Sequence, residues 1–462
     1  MIEGMKPYAE YKESGIPWTP ELPSQWQIER AKRLFAKMQR PVRPEDEVVT
    51  CFRDGMVTLR KNRRLRGFTE ATVESGYQGI RKGDLVIHGM DAFAGAIGVS
   101  DSDGKGTPVY NVCQPRSGAV AGYYAHTIRE MSRSQWILAL AKGIRERSTD
   151  FRYEMFGNQF VPLPPPDEQA AIVRFLDHAN RKLDSFIRAK RKLIGLLNEQ
   201  KQGIIHRAVT RGLNPGIPLK PSGIPWLGEI PAHWEARRVK QVARILRGKF
   251  SHRPRNDPSF YDGPYPFIQT GSVAQADKFI TNYKQTLNEK GLSVSKLFPS
   301  GTLVMTIAAN IGDVAILTFE ACFPDSIVGF APTGKLDRDY LFSVFRCMKS
   351  ELLREAPVNT QGNLNVERIG AMWIPLPPLS EQEQITKFIE SETAPFNTAI
   401  TRTEREIALM QEYRTRMTAD IVTGKLDVRE AAAKLPDLPP DNTPEQTNGD
   451  LLDDLDAEEL HE

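Results

Sequence analysis

Two stretches of this chain concentrate positive charge at spacings that suit phosphate. Arg60-Lys61-Asn62-Arg63-Arg64-Leu65-Arg66 places five cations in seven positions. Arg244, Arg247, Lys249, Arg253 and Arg255, together with His252, form a second group that contains no acidic residue. A single run of like charge is most simply a solvated face. Two runs in separate parts of the chain point to a polyanion, because guanidinium and ammonium groups displace the counterions condensed on a nucleic-acid backbone. Reading bases requires arginine, asparagine or glutamine at base edges. These stretches and Asn359-Thr360-Gln361-Gly362-Asn363 offer such groups, although the latter segment also reads as a plain polar turn. Gln361 and Asn363 therefore join the two cationic groups as candidate DNA contacts.

Residues able to do catalysis are sparse. Asp257-Pro258-Ser259-Phe260 half-resembles the D-P-P-Y/F loop with which amino-methyltransferases hold a target amine, but it lacks the second proline, and no glycine-rich cofactor loop stands upstream. Asp103-Gly104-Lys105-Gly106 is too short for a phosphate-binding P-loop. The seven histidines are dispersed, and no His-x-x-x-His pair or serine-nucleophile elbow occurs. An acidic nuclease site has spacing too loose to judge. Cys51, Cys113, Cys322 and Cys347 stand singly, which argues against a disulfide framework or a zinc site and fits a reducing compartment.

The elements that must position these cations are duplicated. Pro162-Leu163-Pro164-Pro165 followed by Glu168-Gln169 returns as Pro375-Leu376-Pro377-Pro378 followed by Glu381-Gln382, at a shift of 213 with eight identities in fifteen positions. Ser14-Gly15-Ile16-Pro17-Trp18, with Glu21, Pro23 and Trp26, returns as Ser222-Gly223-Ile224-Pro225-Trp226, with Glu229, Pro231 and Trp234, at a shift of 208. The tryptophans read as core or lid packing, a clasp at the start of each copy. A repeat of this kind sets the architecture before any local reading does.

Between marker and proline block, the two copies scarcely resemble each other. Both read as short β-type runs broken by Gly, Pro and Asp, exemplified by Gly83–Ile87 and Gly301–Met305, with a helix expected over Ser134–Lys142 and over Arg338–Glu355. Behind each proline block, apolar residues follow an alternating four–three step. Leu176, Leu183, Phe186, Leu193 and Leu197 carry it in the first copy, and Ile389, Phe396, Ile400, Ile407 and Met410 in the second. That is coiled-coil spacing. Lys190 and Lys201 interrupt it, and Pro395 predicts a break, with a rod of about 40 Å from Pro395 to Ile421 at 1.5 Å per residue. Gly212 and Gly424 stand where C-terminal helix glycines belong.

The expected fold is α+β, two globular domains separated by two long antiparallel helices about a pseudo-two-fold. Its segments are a first globular domain over 1–159, a proline block and helix over 160–213, a second domain over 214–373, a second block and helix over 374–427, and an acidic tail over 428–462. At 462 residues with 40% hydrophobic and 26% charged content, the composition is that of a soluble globular protein. The polar start, Met1 to Tyr11, predicts no export signal, and no run is long enough to span a membrane. A net charge of +3 hides an asymmetry: Leu435–Glu462 holds ten carboxylates and no Lys or Arg, so residues 1–434 carry +13. The body is basic.

The doubled order of marker, variable domain and PLPP-EQ helix resembles the specificity subunit of type I restriction-modification systems. The end, Gln411-Glu412-Tyr413-Arg414-Thr415-Arg416 and Asp420-Ile421-Val422-Thr423-Gly424-Lys425-Leu426-Asp427-Val428-Arg429, is similar to that family's closing helix. The resemblance covers about residues 10 to 430. It implies a non-catalytic cytoplasmic reader of double-stranded DNA whose two domains each take half of a split site. The helices would set the gap and dock two modification subunits, with restriction subunits joining that core. S-adenosylmethionine, ATP and magnesium would belong to those partners, with no cofactor on this chain. Competing readings are a free-standing nuclease or DNA methyltransferase, active alone, and a coiled-coil adaptor that binds only protein.

Overall fold

The computed structural model describes residues 5–63, 74–116, 118–140, 150–252, 255–308, 310–355 and 364–436. Arg64, Arg66, Arg253, Gln361, Asn363 and the acidic tail beyond Pro436 lie outside the described residues. The chain forms two compact units, Met1–Ala189 with Glu406–Glu462, and Lys190–Arg405. Helices and sheets are mixed in both, so the fold is α+β.

In the first unit, Phe35–Lys37, Tyr110–Pro115, Leu85–His88 and Ile97–Val99 form an antiparallel sheet in that order. Alternation along the strands feeds two cores. Leu85 and Ile87 face Tyr123, Tyr124 and Ile128 of the helix Ala121–Arg133, while Val86 faces Val49, Val57 and Tyr110 on the other side. The helix expected over Ser134–Lys142 is displaced. The main helix ends at Arg133, because Gln135 takes a left-handed φ of 62°, and a short turn, Trp136–Leu140, follows.

The second unit repeats this layering with different strands. Ala243–Arg247, Ile327–Pro332, Leu303–Thr306, Val314–Leu317 and Phe279–Ile280 form its main sheet, antiparallel except for the last pair. Leu303 and Met305 join a core with Tyr340, Leu341 and Phe345 of the helix Arg338–Cys347, and Val304 joins the opposite core with Phe298 and Phe323. Four-residue apolar runs are buried on both faces, so periodicity alone shows only that they are β-type.

The proline blocks do two jobs. Phe160–Leu163 pairs antiparallel with Gln27–Arg30, and Trp373–Leu376 with Glu235–Arg238, in two-stranded ribbons that tolerate a proline without an N–H. The chain then enters long helices, Pro166–Arg211 and Leu379–Val422. The break expected at Pro395 does not occur, since that residue lies inside the second helix. Pro395 and Ser391, whose carbonyl loses its bond to the missing N–H, are both exposed, so the lost bond falls on the solvent side and the buried face keeps its packing.

The helices pair antiparallel within each unit. In the first, Arg414 reaches Asp184 while Ile172 and Leu176 share a core with Met417 and Ile421. In the second, Lys201 donates to Asn397 Oδ1 while Ile205 and Ala208 share a core with Ile385 and Ile389. The seam departs from the heptad reading. Phe186 and Leu193 are exposed, whereas Ile187, Lys201, Thr393 and Thr403 are buried. A straight helix at 3.6 residues per turn drifts from a 3.5 repeat, and small polar residues let the backbones approach. No helix among the described residues is long and apolar enough to cross a membrane.

Candidate nucleic-acid interface

Each globular domain is fastened to its helix by the residues that the sequence repeats. Trp26 and Trp234 are fully buried. Trp26 Nε1 donates to Glu168 Oε1 at 2.8 Å, and Trp234 Nε1 to Glu381 Oε2 at 2.9 Å. The adjacent glutamine ties the helix start to the domain. Gln169 accepts from Val120 N, just before the helix Ala121–Arg133, and donates to the Gly118 and Pro164 carbonyls. Gln382 accepts from Asp337 N, just before Arg338–Cys347, and donates to the Lys335 and Pro377 carbonyls.

In the first unit the clasp also gathers the two chain ends. The Tyr8 hydroxyl donates to Glu168, and burial followed by that carboxylate pushes the phenol well above its ordinary range. Lys6 bridges Asp427 through backbone, and Arg429 Nη1 lies 3.8 Å from Glu168 Oε2. In the second unit the free corner of Glu381 meets His233 Nε2 at 2.7 Å instead.

The predicted DNA contacts fall into paired and unpaired groups. Arg60 and Lys61 lie in a 3-10 turn, Arg60–Asn62, where Arg60 Nε meets Thr50 Oγ1 at 3.3 Å and Lys61 pairs with Glu47 at 2.5 Å. Arg63 pairs with Asp54 at 2.6 Å and covers the Phe52 ring. In the second unit Arg255 pairs with Asp325, and His252 stacks on Phe260 with its Nε2 3.3 Å from Asp257. Arg244 and Arg247 stand on the edge strand Ala243–Arg247 opposite Ala331 and Val328. Three residues apart on a strand, they point to opposite faces. Arg244, Arg247 and the following Lys249 are exposed and, among the described residues, form no ion pair. The second cationic group is thus spread around an edge rather than gathered on one surface.

The remaining motifs resolve as structure. Asp257 caps the turn Pro258–Phe260, its carboxylate accepting from Ser259 N at 3.0 Å. Cys51, Cys113 and Cys322 are buried thiols, and burial pushes Cys51 up to about 12. Among the described residues, no three His, Cys, Asp or Glu side chains converge to hold a metal.

Comparison with known proteins agrees with this architecture. The family model for the type I restriction modification DNA specificity domain matches residues 231–409. The putative type I restriction enzyme MjaX specificity subunit of Methanocaldococcus jannaschii is 22% identical over 320 residues, covering 68% of this chain and 71% of that relative. The MjaVIII specificity subunit of the same organism is 24% identical over 294 residues, covering 60% and 64%. A chain from a solved type I restriction-modification complex has the same fold, with a TM-score of 0.61 at 16% identity over 87% of this chain and 98% of that one. With its clasp duplicated in sequence and built twice in the fold, the chain is similar to the specificity subunits of type I restriction-modification systems.

Proposed function

We propose that this chain is the non-catalytic DNA-reading subunit of a restriction-modification complex, each unit taking one half of a split site. The observation that carries this reading is the contrast between fastening and cargo. Trp, Glu and Gln make the same hydrogen bonds in both units, while the domains so fastened have different strands. Identical mounts with different faces suit two readers of different half-sites. The paired helices would set the gap between them, and their exposed apolar residues, among them Phe186, Leu193 and Leu409, suit docking of two modification subunits. Restriction subunits would join that assembly. S-adenosylmethionine, ATP and magnesium would be held by those partners, in the cytoplasm.

Methylome sequencing of cells that co-express this chain with its modification partner tests the proposal. The expected result is a methylated split motif that disappears when this chain is omitted. Methylation or cleavage by the purified chain alone would instead identify a free-standing enzyme. Charge reversal at Lys61, Arg244 and Arg247 that left DNA affinity and its salt dependence untouched would favour a protein-only adaptor.

A further inference from the structure

The structural repeat extends beyond the blocks that the sequence displays. Arg30 and Lys32 recur as Arg238 and Lys240 at the marker's shift of 208, and Gly157 and Phe160 recur as Gly370 and Trp373 at the proline block's shift of 213. The two sets meet in the ribbons. Arg30 stands opposite Phe160 and Arg238 opposite Trp373. Each guanidinium lies over its partner's ring, 5.1 Å from the Phe160 centroid and 5.2 Å from that of Trp373. The rings remain 49% and 37% exposed, far from buried core.

The lysines are seated in the same way. Gly157 and Gly370 belong to the short helices Tyr153–Asn158 and Val366–Ala371. A Cβ on Gly157 would come within 3.2 Å of Lys32 Cβ, and one on Gly370 within 3.4 Å of Lys240 Cβ. Each glycine therefore leaves room for a lysine stem; both lysines are exposed, and Lys32 Nζ donates to the exposed Asn158 Oδ1 at 3.2 Å. Adjacent arginines are neutralised: Arg33 pairs with Glu29 at 3.1 Å and Arg237 with Glu235 at 2.9 Å. Among the described residues, Arg30, Lys32, Arg238 and Lys240 form no ion pair.

We infer that Arg30 with Lys32, and Arg238 with Lys240, form one phosphodiester-binding site per unit that contacts the DNA backbone without regard to sequence. This rests on the reading of the chain as a DNA-binding subunit and names contacts that reading does not. Base-reading residues must differ between domains that read different half-sites. The sugar-phosphate backbone is the same at both, so its contacts can be identical. The ring holds the guanidinium in a fixed orientation, so less rotamer freedom is lost when a phosphate arrives. An acidic protein surface meeting both units is the competing occupant.

The test uses the complete chain in complex with its co-expressed modification partner, carrying Arg30→Gln with Lys32→Gln, Arg238→Gln with Lys240→Gln, or all four. Affinity for a duplex containing the methylated motif and for an unrelated duplex is measured across salt concentrations. Both affinities are expected to fall by the same factor, and the slope of log K against log salt to flatten by about 0.9 for each phosphate that is no longer neutralised, while the methylated motif stays the same. Arg30→Lys with Arg238→Lys, which keeps the charge, is expected to keep the slope. An unchanged slope in the fourfold variant overturns the inference. Loss of the partner with an unchanged slope also overturns it and assigns the site to protein. If the unmodified complex binds no split motif at all, the functional reading itself fails.

Discussion

Glu168 holds Trp26 across 142 residues of chain, its Oε1 accepting the indole N–H at 2.8 Å inside a fully buried clasp. The same carboxylate accepts from the Tyr8 hydroxyl, so one side chain joins the N-terminal segment, the marker and the first turn of a long helix. In the other unit Glu381 holds Trp234 across 147 residues.

Removing that carboxylate leaves two buried donors without an acceptor in the first unit. Glu168→Ala is expected to destabilise the protein by about 2–4 kcal/mol, and Tyr8→Phe, which removes one bond and leaves the carboxylate its indole partner, by about 1 kcal/mol. Glu381→Ala should cost less, because the Glu381 side chain is 31% exposed and its second contact, His233, is 41% exposed. Urea unfolding followed by tryptophan fluorescence ranks the three.

The helix-terminal glycines are not equally replaceable. Gly424 has φ +75° and Gly212 φ +70°, so alanine at either costs about 1–2 kcal/mol in backbone strain. At Gly424 the added methyl would also lie 2.4 Å from Pro23 Cδ, whereas at Gly212 the nearest atom is Trp234 Cζ2 at 3.1 Å. Gly424→Ala should therefore lower the melting temperature more than Gly212→Ala in paired thermal scans.

The two polar contacts in the helix seam occupy equivalent positions. Asn397 stands 213 residues after Asp184 and Arg414 213 after Lys201, the shift of the proline block. Lys201 is 7% exposed at its side chain, but Arg414 and Asp184 are 31% and 45% exposed. A double-mutant cycle on Lys201 and Asn397 is expected to give coupling of about 1–3 kcal/mol, and one on Arg414 and Asp184 about 0–1 kcal/mol. Lys201→Met with Asn397→Leu should be close to neutral, since the remaining partner of Lys201, Asp277, is 67% exposed and keeps Arg346 at 3.5 Å, so no buried charge is orphaned. Equal coupling at both sites would sink this account of the seam.

His126, half-buried on the helix Ala121–Arg133, has its imidazole pushed down to about 4, first by burial and then by Arg129 and Arg133. The folded state keeps it neutral, while the unfolded chain takes up a proton below about 6.5. Its contribution is therefore fully present above that value and is lost as pH falls toward 4. His126→Gln should remove this component, narrowing the stability difference between pH 7 and pH 4 in denaturant titrations.

Much of the architecture is legible from one chain. The duplicated Pro, Trp, Glu and Gln are visible as repeats, and apolar spacing exposes the two long helices. The candidate interface is less legible. Lys61, Arg63 and Arg255 are cations by composition, but Glu47, Asp54 and Asp325 neutralise them from 14, 9 and 70 residues away. Arg30 and Lys32 recur as Arg238 and Lys240, but Arg33 and Arg237 stand beside them in the same short cationic runs, and linear order does not tell these paired arginines from the others. Only their meeting with Phe160 and Gly157 distinguishes them from solvated surface.

The sequence by itself determined what is periodic or copied: two units, two helices, a basic body and a repeated fastening, because periodicity and duplication are properties of linear order. Tertiary structure alone decided what Glu168 and Gln169 hold, that the second helix runs on through Pro395, and that Ile187, Thr393 and Thr403 are buried while Phe186 and Leu193 are exposed. Each of those depends on burial and on partners distant in sequence. A proline's cost depends on which way its freed carbonyl faces, and a cation's role depends on whether folding brings it a carboxylate.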